Sequence, residues 1–290
     1  MSHKDNMRGA ALMAGSMVAY TLNDALIKGT SDELPLFQII LLRGILTTSF
    51  LVLLAWRMGG LRVRFSARDR WLLLLRTGAE VVSTYLFLQG LFNMPIANAT
   101  AILQSLPLTV TLAGAVFLGE PVGWRRMTAI LVGFLGVLLI VRPGGEGFNF
   151  YSLYVLAAVV LITARDLAAR QMSAAVPSTT VAASTALGVG LLGAFGTIGQ
   201  DWVPVSGASA LLLVGAAFFL IGGYLASFLA MRSGDLDVVA PFRYVAILAA
   251  LVLGLVFFDE WPDVLTLIGS GLVVGSGLFT LYRSRVLNAD

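Results

Sequence analysis

Arg76 and Glu80 are the only charges between Trp71 and Gly90. A four-residue spacing puts both on one face of a helix. In hydrocarbon each is costly unless it is satisfied. Two chemistries fit. One is an internal ion pair that lets both side chains enter a membrane. The other is a Glu80 carboxylate turned to a cavity, where it takes a proton or a substrate ammonium. The second half has no counterpart: the matching region around Ala217 and Ile221 is apolar.

Asp24 falls near the end of the first apolar run, and Arg43 lies about two turns into the second from the same side. They are placed to pair, with Asn23 beside them. Asp166 follows Arg165 directly, but neighbours in sequence point apart on a helix. Asp166 is therefore expected to meet Arg243. Such pairs either clamp helices together or act as gates at opposite mouths. Asn98 and Gln104 fit interhelical hydrogen bonds or a polar cavity wall. Tyr85, Phe87, Gln89 and Tyr224 fit an aromatic cavity for an amphipathic solute, or a lipid-facing surface. Gln104 and Tyr244 align under a shift of 140 residues and are both expected to point inward.

Other chemistries lack their residues. Cysteine is absent and the only histidine is His3. There is no phosphate-binding loop and no zinc motif, so no cofactor, metal or enzymatic constellation is expected. Arg232-Ser-Gly-Asp235 puts its carboxylate at a membrane edge. The isoelectric point near 9.4 does not indicate nucleic acid, because the basic residues sit in short loops.

The elements that must hold these groups are membrane helices. Hydrophobic residues make up 58% of the 290 and charged residues 12%, against about 45–50% and 25% in a soluble domain. Mean hydropathy is +0.89. Ten runs of spanning length lie near 8–28, 36–56, 71–91, 95–118, 123–141, 150–171, 177–198, 207–231, 237–258 and 263–283. The seventh is rich in Ala, Thr and Gly. Thirteen of the 19 Lys and Arg, Arg62 and Arg64 among them, fall on one side, two (Lys28 and Arg142) on the other, and four inside spans. This bias puts both termini in the cytoplasm. The first run reads as a retained helix. Trp56, Trp71, Trp124 and Trp261 mark the ends of spans, as an aromatic belt does.

The sequence is also duplicated. Thr21-Leu-Asn-Asp24-Ala-Leu-Ile-Lys28 returns as Thr163-Ala-Arg-Asp166-Leu-Ala-Ala-Arg170, 142 residues on. Val116-Phe-Leu-Gly-Glu120-Pro121 returns as Val256-Phe-Phe-Asp-Glu260-Trp-Pro262. The expected units are 1–145 and 146–290. Five spans per unit is an odd number, so the second unit enters the membrane from the opposite side. Inverted repeats of this kind are typical of transporters that work by alternating access. Glu120 and Glu260, each just before a helix and beside a proline, read as N-terminal caps of the helices that follow. Gly271 and Gly275 on span ten, with Gly133 and Gly136 on span five, read as tight helix packing, within the chain or in a dimer. Pro107 and Pro241 do not align, so they are not one inherited kink.

Tyr85-Leu-Phe-Leu-Gln-Gly90, Pro95-Ile-Ala-Asn-Ala-Thr-Ala-Ile-Leu-Gln-Ser-Leu-Pro107 and Gly119-Glu120-Pro121 resemble the drug/metabolite transporter superfamily, EamA type. So do Pro241 to Gly254, leading into Asp259-Glu260-Trp-Pro262, and Arg43-Gly44 in span two. The second copy has Asp259 where the first has Gly119. The resemblance covers nearly the whole chain. It implies an all-α integral membrane protein of ten helices in two inverted EamA repeats, in a bacterial inner membrane. It also implies export of small metabolites, amino acids and aromatic ones included. Import of a nucleoside-like or vitamin solute and lipid flipping remain alternatives. The expected partners are a small-molecule substrate and membrane lipid. Coupling to protons stays open, as does the choice between monomer and homodimer.

Overall fold

The structure, a computed structural model, describes residues 3–58, 65–145, 147–173, 176–233 and 236–289. Arg62, Arg64 and Asp235 lie outside the described residues. Every regular element among the described residues is a helix. They are α1 (His3–Lys28), α2 (Leu36–Arg57), α3 (Ala67–Asn93), α4 (Ile96–Leu103), α5 (Leu106–Leu118), α6 (Trp124–Val141) and α7 (Tyr151–Gln171). There follow α8 (Ser178–Gly196), α9 (Gly207–Ser233), α10 (Leu236–Val239), a 3₁₀ turn (Ala240–Tyr244), α11 (Val245–Phe258) and α12 (Val264–Ala289). They make ten segments long and apolar enough to cross a membrane. The Ala-, Thr- and Gly-rich seventh is among them, as α8.

Spans four and nine are broken, and their sequences show why. Proline has no N–H to donate and clashes with the preceding turn. Pro107 sits in the first turn of α5, and Pro241 in the 3₁₀ turn before α11. The prolines do not align, yet the breaks do. The break at Gln104–Ser105 corresponds within a residue to that at Tyr244–Val245 under the 140 shift. The two breaks also touch: the Gln104 side-chain amide donates to the Arg243 carbonyl at 2.8 Å. A backbone group released at membrane depth is thus satisfied by the other half of the chain.

Both broken spans end alike. Gly119 (φ 68) and Asp259 (φ 52) take left-handed conformations. The next N–H then turns back onto the helix, Glu120 to Gly114 O at 3.2 Å and Glu260 to Gly254 O at 2.9 Å. The Gly119 and Asp259 N–H groups reach the same carbonyls, Gly114 O and Gly254 O, the six-to-one separation found in a Schellman ending. The Glu120 and Glu260 bonds run one residue wider. Asp tolerates that conformation better than most residues with a Cβ, so the Gly-to-Asp difference between the copies keeps the backbone ending.

The main packing runs between halves: α1 on α9, α2 on α8, α3 on α7 and α6 on α12. Exchanging each span for its counterpart maps α1–α9 onto α7–α3 and returns the α2–α8 and α6–α12 pairs to themselves. Counterpart helices run in opposite directions, as inverted repeats require. Glycines allow the closest approaches. A Cβ on Gly44 would lie 2.9 Å from Gly190 Cα, and one on Gly136 would lie 2.7 Å from Gly269 O. The α6–α12 contact therefore runs through Gly136 and Gly269. Gly271 and Gly275 take no part in it, since a Cβ added at either would meet nothing within 4 Å.

The core is lopsided. Ile27, Ile39, Ile40, Leu88, Leu91, Ile96 and Ile102 belong to one large buried cluster. It fills the half of the molecule nearest the Lys28 end of α1. Toward the opposite face, where α7 ends at Arg170 and Gln171, the described residues form a small cluster around Met13, Met17, Ala230, Val239 and Ala246. Trp56, Trp71, Trp124 and Trp261 are exposed near helix ends.

Candidate functional site

A cavity of about 460 Å³ lies between the halves, with walls from the first, second, third, fourth, sixth, seventh, eighth and ninth spans. Asp24, Arg43, Arg76, Glu80, Gln104, Tyr224 and Arg243 all line it. So do Tyr20, Asn23, Phe87 and Arg165. A second hollow of about 330 Å³ shares Tyr20, Arg76, Tyr224 and Ser227 with it and reaches Met172 and Met231 on the Arg170 face.

The charge pairing differs from that expected. Arg76 and Glu80 share a face but do not pair. Glu80 is bound by Arg165 of α7 at 2.5 Å, while Arg76 Nη1 donates to Thr185 Oγ1 of α8 at 2.7 Å. Facing helices intervene between two side chains on one helix. Asp166 does not meet Arg243. It is held by its neighbour Arg165 at 2.8 Å, because a guanidinium on a long stem curls back along its own helix. Arg165 thus joins two carboxylates. Asp24 and Arg43 are linked through Asn23, which accepts from Arg43 Nη1 at 3.2 Å and donates to Asp24 Oδ1 at 2.9 Å.

Four other candidates lie away from the cavity. Tyr85 stacks on Phe37 at 5.7 Å, and Gln89, one turn on, donates to its hydroxyl at 3.3 Å. Asn98 is on a different face of α4, with its side-chain oxygen buried and unpartnered. Tyr244 is buried against Gly277 of α12. The numerical match of Tyr244 to Gln104 fails because Tyr244 ends a 3₁₀ turn, whose residues advance by a larger angle than those of an α-helix. Among the groups not singled out, Arg165 is the most consequential. Tyr20 had a visible signal, one turn before Asp24 on the same helix face.

The repeated bases and glutamates form cross-pairs. Lys28, from the first half, binds Glu260, from the second, at 2.6 Å. Arg170, from the second, binds Glu120, from the first, at 3.0 Å. Neither glutamate caps the helix that follows it. Glu260 instead accepts the Ile96 N–H at 2.8 Å, at the start of α4. Asp263 caps α12 by accepting the Thr266 N–H at 2.8 Å. The two pairs occupy opposite faces and differ in burial. Lys28 and Glu260 are 9% and 21% exposed, with Lys28 also donating to Met94 O at 2.6 Å. Arg170 and Glu120 are 46% and 45% exposed. More ties close the Lys28 face. Gln38 bonds both backbone groups of Val203, at 2.7 and 3.1 Å. Glu33 accepts from Ser206 at 2.9 Å and also from Ser209. The Ser209 and Ser206 hydroxyls hold the Glu33 carboxyl below the ordinary carboxylate range.

The family model described as the EamA-like transporter family matches residues 7–142 and again 149–282. The S-adenosylmethionine uptake transporter of Rickettsia felis is 28% identical over 68% of this chain and 66% of its own, so the chain spans about two thirds of that relative's length. The pseudopaline exporter of Pseudomonas aeruginosa is 27% identical over 92% of this chain and 93% of its own. The riboflavin transporter of Vibrio cholerae is 28% identical over 71% of this chain and 70% of its own. All three are named as transporters rather than enzymes. A crystal structure of a protein 21% identical in sequence superposes with a TM-score of 0.68, covering 96% of this chain and 98% of the other, a likeness of fold alone. With two family matches covering nearly all of its length, this ten-span membrane protein belongs to the EamA-like transporter family.

Proposed function

We propose that the protein exports small amphipathic metabolites of the amino-acid type by alternating access through the central cavity. The observation that carries this reading is a cavity of about 460 Å³ between the repeats whose wall offers both charge signs. Carboxylates suit an ammonium and guanidiniums suit a carboxylate, while Phe87, Tyr20 and Tyr224 supply apolar surface. The full-length similarity to a named exporter supports the direction. An uptake reading draws on the relatives named for S-adenosylmethionine uptake. A carrier runs either way down its gradient.

In this reading the moving units are residues 1–145 and 146–290, and the cross-pairs are the gates. Lys28–Glu260 is the shut gate and Arg170–Glu120 the loosened one. With the charge bias placing the Arg170 face in the cytoplasm of a bacterial inner membrane, the molecule faces inward. Closing Arg170–Glu120 and opening Lys28–Glu260 exposes the same cavity to the other side.

The test is uptake into proteoliposomes holding only this protein, with labelled amino acids, nucleosides and riboflavin, with and without a pH gradient. Saturable movement of amino acids is the expected result, and its response to the gradient reports whether protons are coupled. Movement of the other solutes alone would overturn the amino-acid reading.

A further inference from the structure

Resting on that transport reading, we infer that the preferred substrate carries more negative than positive charge, as does an amino acid with a second acidic group. The argument is a count of the charges that face the cavity and of how each is satisfied. Four guanidiniums line it, those of Arg43, Arg76, Arg165 and Arg243, against two carboxylates, Asp24 and Glu80. Asp166, just outside the lining, adds a third carboxylate to the cluster, but it is bound to Arg165.

Pairing makes the imbalance local. Arg165 is the most heavily satisfied cation, holding Glu80 and Asp166 together. Arg43 bonds only the neutral Asn23 side chain, which links it to Asp24, and its Nε–H is buried without a partner. Arg76 has only the neutral Thr185 hydroxyl, and its Nε–H is buried without a partner. The guanidinium of Arg243 has no hydrogen bond or ion pair among the described residues, though it lines the same cavity. A buried cation without a counter-charge is costly, and a buried donor without an acceptor adds to that cost. An incoming anion relieves both. Arg76 and Arg243 therefore receive acidic groups of the substrate, and guanidinium forks bind carboxylates with two parallel bonds.

Asp24 completes the assignment. It is the cavity carboxylate with no direct ion pair, its one hydrogen bond coming from the neutral Asn23 amide. It is the group free to take an ammonium, whereas Glu80 is occupied by Arg165. One carboxylate without a direct ion pair, Asp24, against three such guanidiniums, Arg43, Arg76 and Arg243, suits a solute with one ammonium and two acidic groups.

The experiment is counterflow into proteoliposomes of the full chain, with L-glutamate, L-leucine, L-lysine and succinate as labelled probes. L-glutamate is expected to move fastest, and succinate to compete with it. Arg76→Gln and Arg243→Gln are each expected to lower L-glutamate counterflow by at least about tenfold, the effect of losing a charge-assisted bond of roughly 1.4 kcal/mol or more. Arg243→Lys keeps the charge and is expected to keep part of the activity. Thermal melts of the same preparations identify any variant that fails to fold, and for such a variant the competition by succinate on the natural chain decides. Leucine or lysine moving in preference to glutamate would overturn the charge inference and leave the transport reading standing. Silence for all four probes, with folded protein, would overturn both.

Discussion

Arg165 does at the residue level the work of two separate ion pairs. One guanidinium reaches Glu80 on the facing helix and Asp166 beside it. Removing Glu80's charge leaves Arg165 with Asp166, so Glu80→Gln is expected to destabilise without unfolding. Loss of a hydrogen bond to a charged group costs about 1.5–3 kcal/mol, visible as a lower melting temperature in detergent. Because Glu80 is engaged, its substitution should reduce transport of every solute alike. A selective loss of pH-driven accumulation, with downhill exchange intact, would instead make Glu80 a proton carrier. The sequence revealed which residues are charged at membrane depth but not who holds whom. Asp24, Arg43, Arg76, Glu80 and Arg243 could be chosen because charge in hydrocarbon is rare. The pairing of Glu80 with Arg165 depends on the rotation of two helices that meet only in the folded chain.

At the scale of the helix, close packing and caps can be tested separately. Gly44 allows α2 to approach the α8 backbone at Gly190, so Gly44→Val should overpack this contact and cost about 1–3 kcal/mol. Gly271→Val should leave the melting temperature nearly unchanged, since a Cβ added at Gly271 meets nothing within 4 Å. Spacing alone suggested Gly271 and Gly275 as the tight seam. What spacing lacks is the face each glycine turns to its neighbour. Span boundaries were legible because hydropathy and length are local properties, and the breaks in spans four and nine were legible only as prolines. Their alignment emerges from the matching Gln104 and Tyr244 junctions. Asp263, outside the spans, accepts from Arg142 and caps α12, and Arg142 holds its carboxyl below the ordinary carboxylate range. Its stabilising contribution is present above that ordinary range and is lost as pH falls through the lowered value. Asp263→Ala should cost about 1 kcal/mol at neutral pH, as loss of an N-cap does. The penalty should shrink in acid, as melts across pH would register.

For the whole molecule, the decisive feature is the lopsided core, dense behind Lys28–Glu260 and hollow toward Arg170–Glu120. Switching access means dissolving one packed end and building the other from symmetry-related residues. The chain contains no cysteine, so single introduced thiols report access without background. Ser227→Cys, in the cavity and its vestibule, should react with a polar thiol reagent supplied from the Arg170 face. Ala99→Cys, fully buried near the Lys28 face, should stay unreactive until Lys28→Ala loosens the shut end. Reaction of Ala99→Cys at the same rate in both backgrounds would remove Lys28 from the gate. The duplication was readable as a repeated string and an odd span count. Which end is closed was not, since both ends carry a base and a glutamate and only tertiary packing distinguishes them.

Glu260 has a further consequence, because the carboxylate that holds Lys28 also holds the first backbone N–H of α4. Parting the two halves at that end withdraws Glu260 from both partners at once, leaving the start of α4 frayed. Deuterium uptake at the Ile96 amide should therefore run as a clock of the cycle, slow while that end is shut and faster with each excursion that opens it.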